Sequence, residues 1–316
     1  MYDVVILGAG PAGLSAGIYA GRAKLKTLII EMERDGGQIT ETNRVENYPG
    51  QIPGGETGEE LVARMTKQCE DFGCERAQDT VREVLFAAQD RLVHKVIGQN
   101  GTYEAKTVII ATGASPKPTG VKNEDKFRGM GVSYCATCDA NFFKDLDIYV
   151  VGGDNSAAGG ALYLSKFGKH VYMIHRGDEL TASETMKERV QQDDKITEIG
   201  NSVVTELGGA MDLSEITVKD VNSGELTTYQ ADPADGMIGV FFMGTRPNTD
   251  LFAATELNVD DKGYIPTDEE MQTNIPGVYA AGDVRVKSLR QVVTAAADGA
   301  IAAVNAGKYA RALRIE

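Results

Sequence analysis

Two cysteines and two glycine-rich turns are the residues of this 316-residue chain whose types and spacing could do chemistry. The segment Cys135-Ala-Thr-Cys138-Asp139 places two thiols at the spacing of a reversible disulfide, at the start of a helix. The positive end of a helix stabilises a thiolate, so the pair predicts thiol–disulfide exchange. Asp139 could supply a proton to a departing thiolate, cap the helix, or do both.

A metal site is the first alternative for the two thiols. Zinc takes four ligands, whereas only this pair has the Cys-x-x-Cys spacing and His94, His170 and His175 are scattered. We therefore predict no metal. A purely structural disulfide is the second alternative, and it stays open at this point.

The first glycine-rich turn follows an apolar run over residues 2–7 and precedes a helix-like segment. It reads Gly8-Ala-Gly10-Pro11-Ala12-Gly13, and Glu31 ends the next strand-like run. This context fits a dinucleotide, because the helix start would face the pyrophosphate and Glu31 would accept hydrogen bonds from ribose hydroxyls.

The same pattern occurs a second time, without a gap, at an offset of 144 residues. In the second copy Asp154 stands where the first has Gly10, and His175 stands where the first has Glu31. An aspartate adds bulk and negative charge where a pyrophosphate would lie, so we predict that this copy binds nucleotide poorly or not at all.

Several further elements must position these residues. Leu61, Met65, Cys69 and Phe72 recur at helical spacing before Gly73, so Cys69 is interpreted as a core residue; Cys74 receives no role. Strand-like runs occur at residues 80–85, 92–97, 107–111 (before Thr112 and Gly113), 239–243 and 278–283. A helix is predicted over about 290–306.

The sequence thus predicts an α/β protein of two Rossmann-like domains, the second inserted in the first. Residues 1–114 and 246–316 would form the outer domain, and residues 115–245 the inserted one, with Ser115-Pro-Lys-Pro118 as a linker. A net charge of −14 argues against nucleic-acid binding. The chain shows neither a signal-peptide pattern nor an apolar run of membrane-spanning length, which favours a cytoplasmic protein.

Four further motifs suggest FAD rather than NAD at the first turn: Gly36-Gly37-Gln38, Val45-Glu-Asn47-Tyr-Pro-Gly50, Ala281-Gly282-Asp283 and Arg290-Gln291-Val292. With them, nearly the whole chain resembles the low-molecular-weight thioredoxin reductases in motif order. The resemblance implies that Gly37, Gln38 and Asn47 lie near the isoalloxazine and that Asp283 binds the ribityl chain.

The resemblance also implies that Arg290, Gln291 and Val292 close over the pyrimidine side of the flavin. Val81 would contact the adenine through its backbone, and Gly113 and Gly282 complete the predicted FAD-binding set. At the dithiol, the resemblance implies that Cys138 faces the flavin, that Cys135 attacks the disulfide of thioredoxin, and that Asp139 supplies the proton. It further implies a homodimer, and rotation of the inserted domain about linkers near 114–117 and 244–247.

The second turn departs from that family. Ordinary members carry Gly-Gly-Gly-Asp-Ser-Ala followed by two glutamates, whereas this chain has Gly152-Gly-Asp-Asn-Ser-Ala157 followed by Gly159-Gly160. Where the family has His-Arg-Arg and a later arginine for the 2′-phosphate of NADP, this chain has His175-Arg-Gly-Asp-Glu-Leu-Thr181.

These losses resemble those of ferredoxin-dependent flavin thioredoxin reductases, so the sequence predicts ferredoxin as electron donor and thioredoxin as substrate. Ferredoxins of this role are acidic, which requires a basic patch; Arg285, Lys287 and Arg290 are the predicted residues. Three alternatives stay open: an NADPH-dependent thioredoxin reductase with a divergent site, an FAD-dependent dithiol oxidase, and a flavin redox sensor.

Overall fold

A computed structural model describes residues 1–42, 44–52, 54–88, 93–117 and 119–313 of the chain, which divides into two compact units. Unit 1 comprises residues 1–115 and 246–316, and unit 2 comprises residues 116–245. Among the described residues, no helix is long and apolar enough to cross a bilayer.

The amino-terminal part of unit 1 contains the first two helices and the first seven strands: β1 Tyr2–Leu7, α1 Pro11–Arg22, β2 Thr27–Glu31, α2 Gly58–Asp71, β3 Glu75–Gln78, β4 Val81–Leu85, β5 His94–Gly98, β6 Thr102–Ile110 and β7 Ala114–Pro116. Leu92 and Pro118, which the sequence places in a strand and a linker, lie outside the described residues.

The described residues of unit 2 form these α-helices and strands: β8 Val132–Ser133, α3 Ala136–Asp139, β9 Asp147–Val151, α4 Asn155–Leu164, β10 His170–Ile174, α5 Glu184–Gln191, β11 Ile196–Ile199, β12 Ser202–Gly208, β13 Glu215–Asp220, β14 Leu226–Gln230 and β15 Gly239–Phe242. The chain then enters the second part of unit 1 through β16 Thr245–Pro247, followed by β17 Val278–Ala280 and α6 Val292–Ala312.

The main sheet of unit 1 has the strand order β3-β2-β1-β6-β5-β4, with β17 also pairing β6. Strands β1, β2, β3, β6 and β17 run parallel. The run over residues 2–7 that predicted a buried strand is β1, whose last four residues are buried, because the sheet is covered on both faces.

Helix α2 follows from its sequence at both ends. Thr57 and Glu60 form a reciprocal capping box at its start, and Leu61, Met65 and Cys69 are buried as their spacing predicts. The prediction was wrong for Phe72, which caps the end of the helix and is 38% exposed.

Unit 2 has a parallel sheet of order β11-β10-β9-β15-β8, which is the second Rossmann-like unit that the sequence predicts. A separate antiparallel sheet, β12-β13-β14, was not predicted from the sequence. The two sheets share an apolar core that includes Phe127, Tyr149 and Ile216.

Asn248 ties together the two chain segments of unit 1 that flank residues 116–245. Its side-chain amide donates to the carbonyl of Thr112 at 2.8 Å, and its backbone N–H donates to the carbonyl of Gly113 at 3.0 Å. The hydroxyl of Thr112 donates in return to the carbonyl of Asn248 at 2.8 Å. Strands β7 and β16 form a two-stranded sheet beside this contact.

Candidate active site

The predicted dinucleotide residues of unit 1 gather at one edge of its sheet. The turn beginning at Gly8 follows β1, Glu31 ends β2, Gly113 follows β6 and Gly282 follows β17. Because these four strands are parallel, their carboxyl ends share an edge, which is where open α/β sheets bind their ligands.

The turn between β1 and α1 leaves room for a ligand and leaves the helix start free. Gly10 is the N-cap of α1 and provides no side-chain hydrogen bond, while Pro11 occupies the first turn of the helix. A Cβ on Gly10 would meet only the carbonyl oxygen of Gly36, at 3.7 Å. A Cβ on Gly13, in contrast, would lie 1.9 Å from the carbonyl oxygen of Gly8, so this contact admits glycine alone.

Glu31 is oriented by the backbone around the turn. Its Oε2 accepts from the N–H of Ala9 at 2.8 Å, and its Oε1 accepts from the N–H of Met32 at 2.9 Å. The carbonyl of Glu31 accepts from the N–H of Asp79 at 3.0 Å, which places the chain entering Val81 and β4 next to this end of β2. The predicted ribose and adenine residues are therefore close together.

The segments that carry the predicted flavin residues make two long-range contacts in unit 1. Gly37 and Gln38 begin a short 3-10 helix, Gly37–Glu41, and the N–H of Gly36 donates to the carbonyl of Ala9 at 2.8 Å. The side-chain amide of Asn47 donates to Oε1 of Gln291 at 3.0 Å, immediately before Val292 opens α6.

Asp283 carries a polar atom that the described part of the chain does not satisfy. Its Oδ1 is buried and has no hydrogen-bond partner among the described residues. Burial raises the pKa of Asp283, while the charges of Lys287 and Arg290 act in the opposite direction. An unpaired buried acceptor is costly unless a ligand donates to it, so Asp283 is a candidate for ligand binding.

The predicted basic surface patch is wrong. Lys287 is 7% exposed in its side chain and its Nζ lies 2.6 Å from Oδ2 of buried Asp298, which also pairs with Arg285. Arg290 lies over the ring of Tyr264, with its Cζ 4.0 Å from the ring centroid, and donates to the carbonyl of Asp283. The three cations therefore neutralise or brace buried groups, and they do not form an exposed binding surface.

The dithiol of unit 2 is a disulfide between Cys135 and Cys138, whose Cα atoms are 5.3 Å apart. Cys135 precedes the one-turn helix α3, and Asp139 ends it. The backbone N–H of Cys135 donates to the hydroxyl of Ser133 at 3.1 Å, and that hydroxyl donates to Oδ2 of Asp139 at 2.6 Å. The two sulfurs, a carboxyl group and a buried serine thus form one cluster.

Burial raises the pKa of Asp139, although the hydrogen bond from Ser133 opposes the effect. A raised pKa keeps the carboxyl group protonated to higher pH than usual, which fits the predicted role of Asp139 as a general acid.

Asp139→Asn is expected to stabilise the protein at neutral and alkaline pH. Because the folded-state pKa of Asp139 exceeds its unfolded value, the folded protein binds more protons between the two values. The unfolding free energy therefore decreases as pH rises through that window and stays lower above it. Thermal unfolding should show a higher Tm for Asp139→Asn than for the wild type at pH 8. At pH 4 the difference in Tm between the two proteins should be smaller. A pH-independent difference would contradict the assignment.

The second glycine-rich turn, between β9 and α4, differs from the first in its helix start. Asp154 is the N-cap of α4, and its side chain accepts from the N–H of Ala157 at 3.0 Å. The carbonyl of Gly153 accepts both the N–H of Thr181, at 2.8 Å, and its hydroxyl, at 3.1 Å. The chain's own carboxylate therefore occupies the helix end where a phosphate would bind.

Two residues outside this turn, His175 after β10 and Gly160 in α4, are also packed in place. His175 is 5% exposed, and neither ring nitrogen has a hydrogen-bond partner in the described ranges; its Nε2 is 3.6 Å from Oε2 of Glu198. A Cβ on Gly160 would lie 2.9 Å from Cε of Met243, so the space for a side chain at position 160 is already filled. No group of three or more potential metal ligands occurs among the described residues.

Sequence reasoning missed Ser133 and the contacts that Thr181 and Met243 make. Ser133 lies two residues before Cys135, which is the one signal that could have drawn attention to it. The contacts of Thr181 and Met243 depend on how a loop and a strand end fold onto the second turn, and no local pattern reports this.

Comparison with known proteins gives a consistent result. The family model "Pyridine nucleotide-disulphide oxidoreductase" matches residues 2–299. A thioredoxin reductase of Peptoclostridium litorale is 46% identical over 100% of this chain and 99% of its own length. One of Listeria monocytogenes is 42% identical over 99% and 95%. The crystal structure of thioredoxin reductase from Streptococcus pyogenes is similar with a TM-score of 0.89 and 40% identity, covering 99% of each chain.

Proposed function

This chain belongs to the pyridine nucleotide-disulphide oxidoreductase family, and we propose that it is a low-molecular-weight thioredoxin reductase whose electrons come from ferredoxin rather than NADPH. Its class of activity is flavoprotein disulfide reduction with thioredoxin as substrate, as its relatives are thioredoxin reductases over their full length. The donor is the finer part of the proposal. It rests on the second glycine-rich turn and not on Arg285, Lys287 and Arg290, whose side chains contact groups within unit 1.

The protein binds FAD, as members of this family do, and unit 1 fits that cofactor. The uncapped start of α1 and the open space at Gly10 suit a pyrophosphate, and Glu31 suits a ribose. The unpaired Oδ1 of Asp283 suits a hydroxyl donor. We assign the remaining FAD contacts to the other predicted residues: Gly8, Pro11, Ala12, Gly13, Gly37, Gln38, Asn47, Val81, Gly113, Gly282, Arg290, Gln291 and Val292.

When bound, the flavin supplies the ability to accept electrons singly and to pass them on in pairs. Two electrons break the bond between Cys135 and Cys138 and leave two thiolates, of which that of Cys138 takes up a proton. The thiolate of Cys135 then attacks one sulfur of the thioredoxin disulfide, and the sulfur that leaves takes a proton from Asp139, which regains one from water. Cys138 then attacks Cys135 and its proton passes to the second thioredoxin sulfur, which restores the enzyme disulfide and releases reduced thioredoxin.

The carboxylate of Asp154 at the start of α4 is the observation that carries the choice of donor. A pyrophosphate there would have to displace the hydrogen bond from Ala157 and would meet a negative charge. A penalty of about 1.4 kcal/mol lowers affinity tenfold. Thr181 stands where the family has an arginine, and Met243 fills the space beside Gly160, so several features disfavour NADPH together.

Anaerobic titration of the purified yellow protein tests the donor. We expect NADPH and NADH to leave the flavin absorbance almost unchanged, and reduced ferredoxin to bleach it. Dithionite serves as the control, because it shows that the flavin can be reduced in the same sample. Bleaching by one equivalent of NADPH would instead identify a conventional NADPH-dependent enzyme.

Aerobic incubation with a small dithiol distinguishes the dithiol oxidase. The proposed reductase should release hydrogen peroxide only slowly under these conditions. Rapid oxygen consumption with matching peroxide release, in the absence of thioredoxin turnover, would favour the oxidase.

We also propose a homodimer, for which light scattering should give twice the mass of the chain.

A further inference from the structure

Ser133 connects the backbone of Cys135 to the carboxyl group of Asp139. Its hydroxyl accepts from the N–H of Cys135 at 3.1 Å and donates to Oδ2 of Asp139 at 2.6 Å. Ser133 is 4% exposed, so water does not compete freely for these bonds. A buried hydroxyl that is used as donor and acceptor at once is held in a single orientation.

The direction of the two hydrogen bonds determines where the proton of Asp139 resides. The serine oxygen carries one hydrogen, which it donates to Oδ2 of Asp139. Oδ2 can accept it whether the carboxyl group is ionised or neutral. The exchangeable proton of the neutral form therefore sits on Oδ1, the oxygen that Ser133 leaves free.

The frame around Ser133 is rigid on the side away from the cysteines. Ser133 ends β8 and pairs in register with Phe241 of β15, whose ring meets Phe143 edge-on at 5.0 Å. Asp139 ends α3, and its N–H donates to the carbonyl of Cys135 at 3.2 Å. The hydroxyl thus fixes the last residue of the helix to the sheet, across the segment that contains both sulfurs.

We propose that Ser133 is a positioning residue for thiol–disulfide exchange, which orients the carboxyl group of Asp139 so that Oδ1 delivers the proton. This inference rests on the general-acid role of Asp139 in the proposed function. The serine itself transfers no proton to the substrate.

The direction in which Ser133 shifts the pKa of Asp139 agrees with this role. Burial raises the pKa of Asp139, and the hydrogen bond from Ser133 partly lowers it. Removing the hydroxyl should therefore raise the pKa of Asp139 further, and it should leave the N–H of Cys135 without its acceptor. In a variant without the hydroxyl, we therefore expect the alkaline limb of the pH profile to move to higher pH and the rate of thiol–disulfide exchange to fall.

The test uses the FAD-loaded enzyme, reduced with dithionite and mixed over a range of pH with oxidised thioredoxin or with bis(2-hydroxyethyl) disulfide, a small disulfide whose alkyl thiol needs a proton on leaving. Ser133→Ala should react about tenfold more slowly, with the alkaline limb of its pH profile moved to higher pH. Ser133→Thr keeps a hydroxyl and should restore the position of the limb. Asp139→Asn should be about a hundredfold slower and should lack the limb.

Ser165→Ala is the matched control. Ser165 is also a buried serine of unit 2, and its hydroxyl donates to Oδ2 of Asp193 at 2.7 Å. Its removal should lower the Tm to a similar extent but should leave the pH profile of the exchange reaction unchanged. A shift as large as that of Ser133→Ala would reduce Ser133 to a merely structural residue and overturn the inference.

The outcomes distinguish the role of Ser133 from the proposed function. If Ser133→Ala keeps both the rate and the limb of the wild-type enzyme while Asp139→Asn loses the limb, the inference is overturned and the proposed function stands. If the reduced wild-type enzyme reacts with the small disulfide but not with thioredoxin, the proposed function is overturned. The small disulfide then still decides the role of Ser133.

Discussion

Cys138→Ser is expected to abolish thioredoxin reduction and to leave the protein yellow. Serine cannot form the disulfide with Cys135, so electrons have no acceptor within unit 2. The predicted FAD contacts all lie in unit 1 and should be unaffected. We expect turnover to fall by at least about three orders of magnitude, as when other catalytic nucleophiles are removed. Flavin absorbance and thioredoxin turnover, driven by reduced ferredoxin, are the two measurements.

Cys74→Ser is the control for that substitution. Cys74 is a buried cysteine of unit 1 whose Sγ donates to the carbonyl of Gly17 at 3.0 Å, a bond that a serine hydroxyl can replace. Its variant should retain turnover. Activity of Cys138→Ser comparable to that of the wild type would show that electrons reach thioredoxin by another route.

Gly13→Ala is expected to yield a protein without flavin. The added Cβ would lie 1.9 Å from the carbonyl oxygen of Gly8, and two backbone segments must separate to relieve the contact. No side-chain rotation can do so, because a methyl group has no alternative rotamer. The turn that we assign to the pyrophosphate is then deformed, and the fold should lose about 1–3 kcal/mol of stability. The flavin-to-protein absorbance ratio and the Tm measure both effects.

Gly159→Ala is the matched glycine control, in α4 of unit 2. A Cβ there would meet only Cε of Met186, at the ordinary distance of 3.6 Å. Alanine favours a helix over glycine by about 1 kcal/mol, so this variant should have a higher Tm and full flavin content. If Gly13→Ala retained its flavin as well, the close approach at Gly13 would not be required for cofactor binding.

The sequence was most informative where a local pattern determines the structure. The run before Gly8, the spacing of Leu61, Met65 and Cys69, and the offset of 144 residues predict strands, helices and a duplicated Rossmann-like unit that the structure contains. In each case, the residues that form one strand, helix or turn are close together in the sequence, so that their pattern can be recognised. The pairing of Cys135 with Cys138 was predicted for the same reason.

Prediction failed where distant segments meet. Arg285 and Lys287 look like exposed cations in the sequence, and only the packing of α6 reveals that Asp298 pairs with both. The sheet of β12, β13 and β14 escaped detection because its strands are partly exposed and lack a strong apolar run. The bridge through Ser133 depends on a hydroxyl reaching a carboxyl group six residues later, which spacing alone does not indicate.

The contacts of Asn248 have a consequence for how such a chain can evolve. Because Asn248 holds Thr112 and Gly113, the points where the chain leaves and re-enters unit 1 are adjacent whatever lies between them. The loop-closure entropy of accommodating an insert there is therefore small and depends only weakly on its length. Deleting residues 116–245 and joining the ends by a short turn should leave a module that folds alone, and the same junction could accept a different domain.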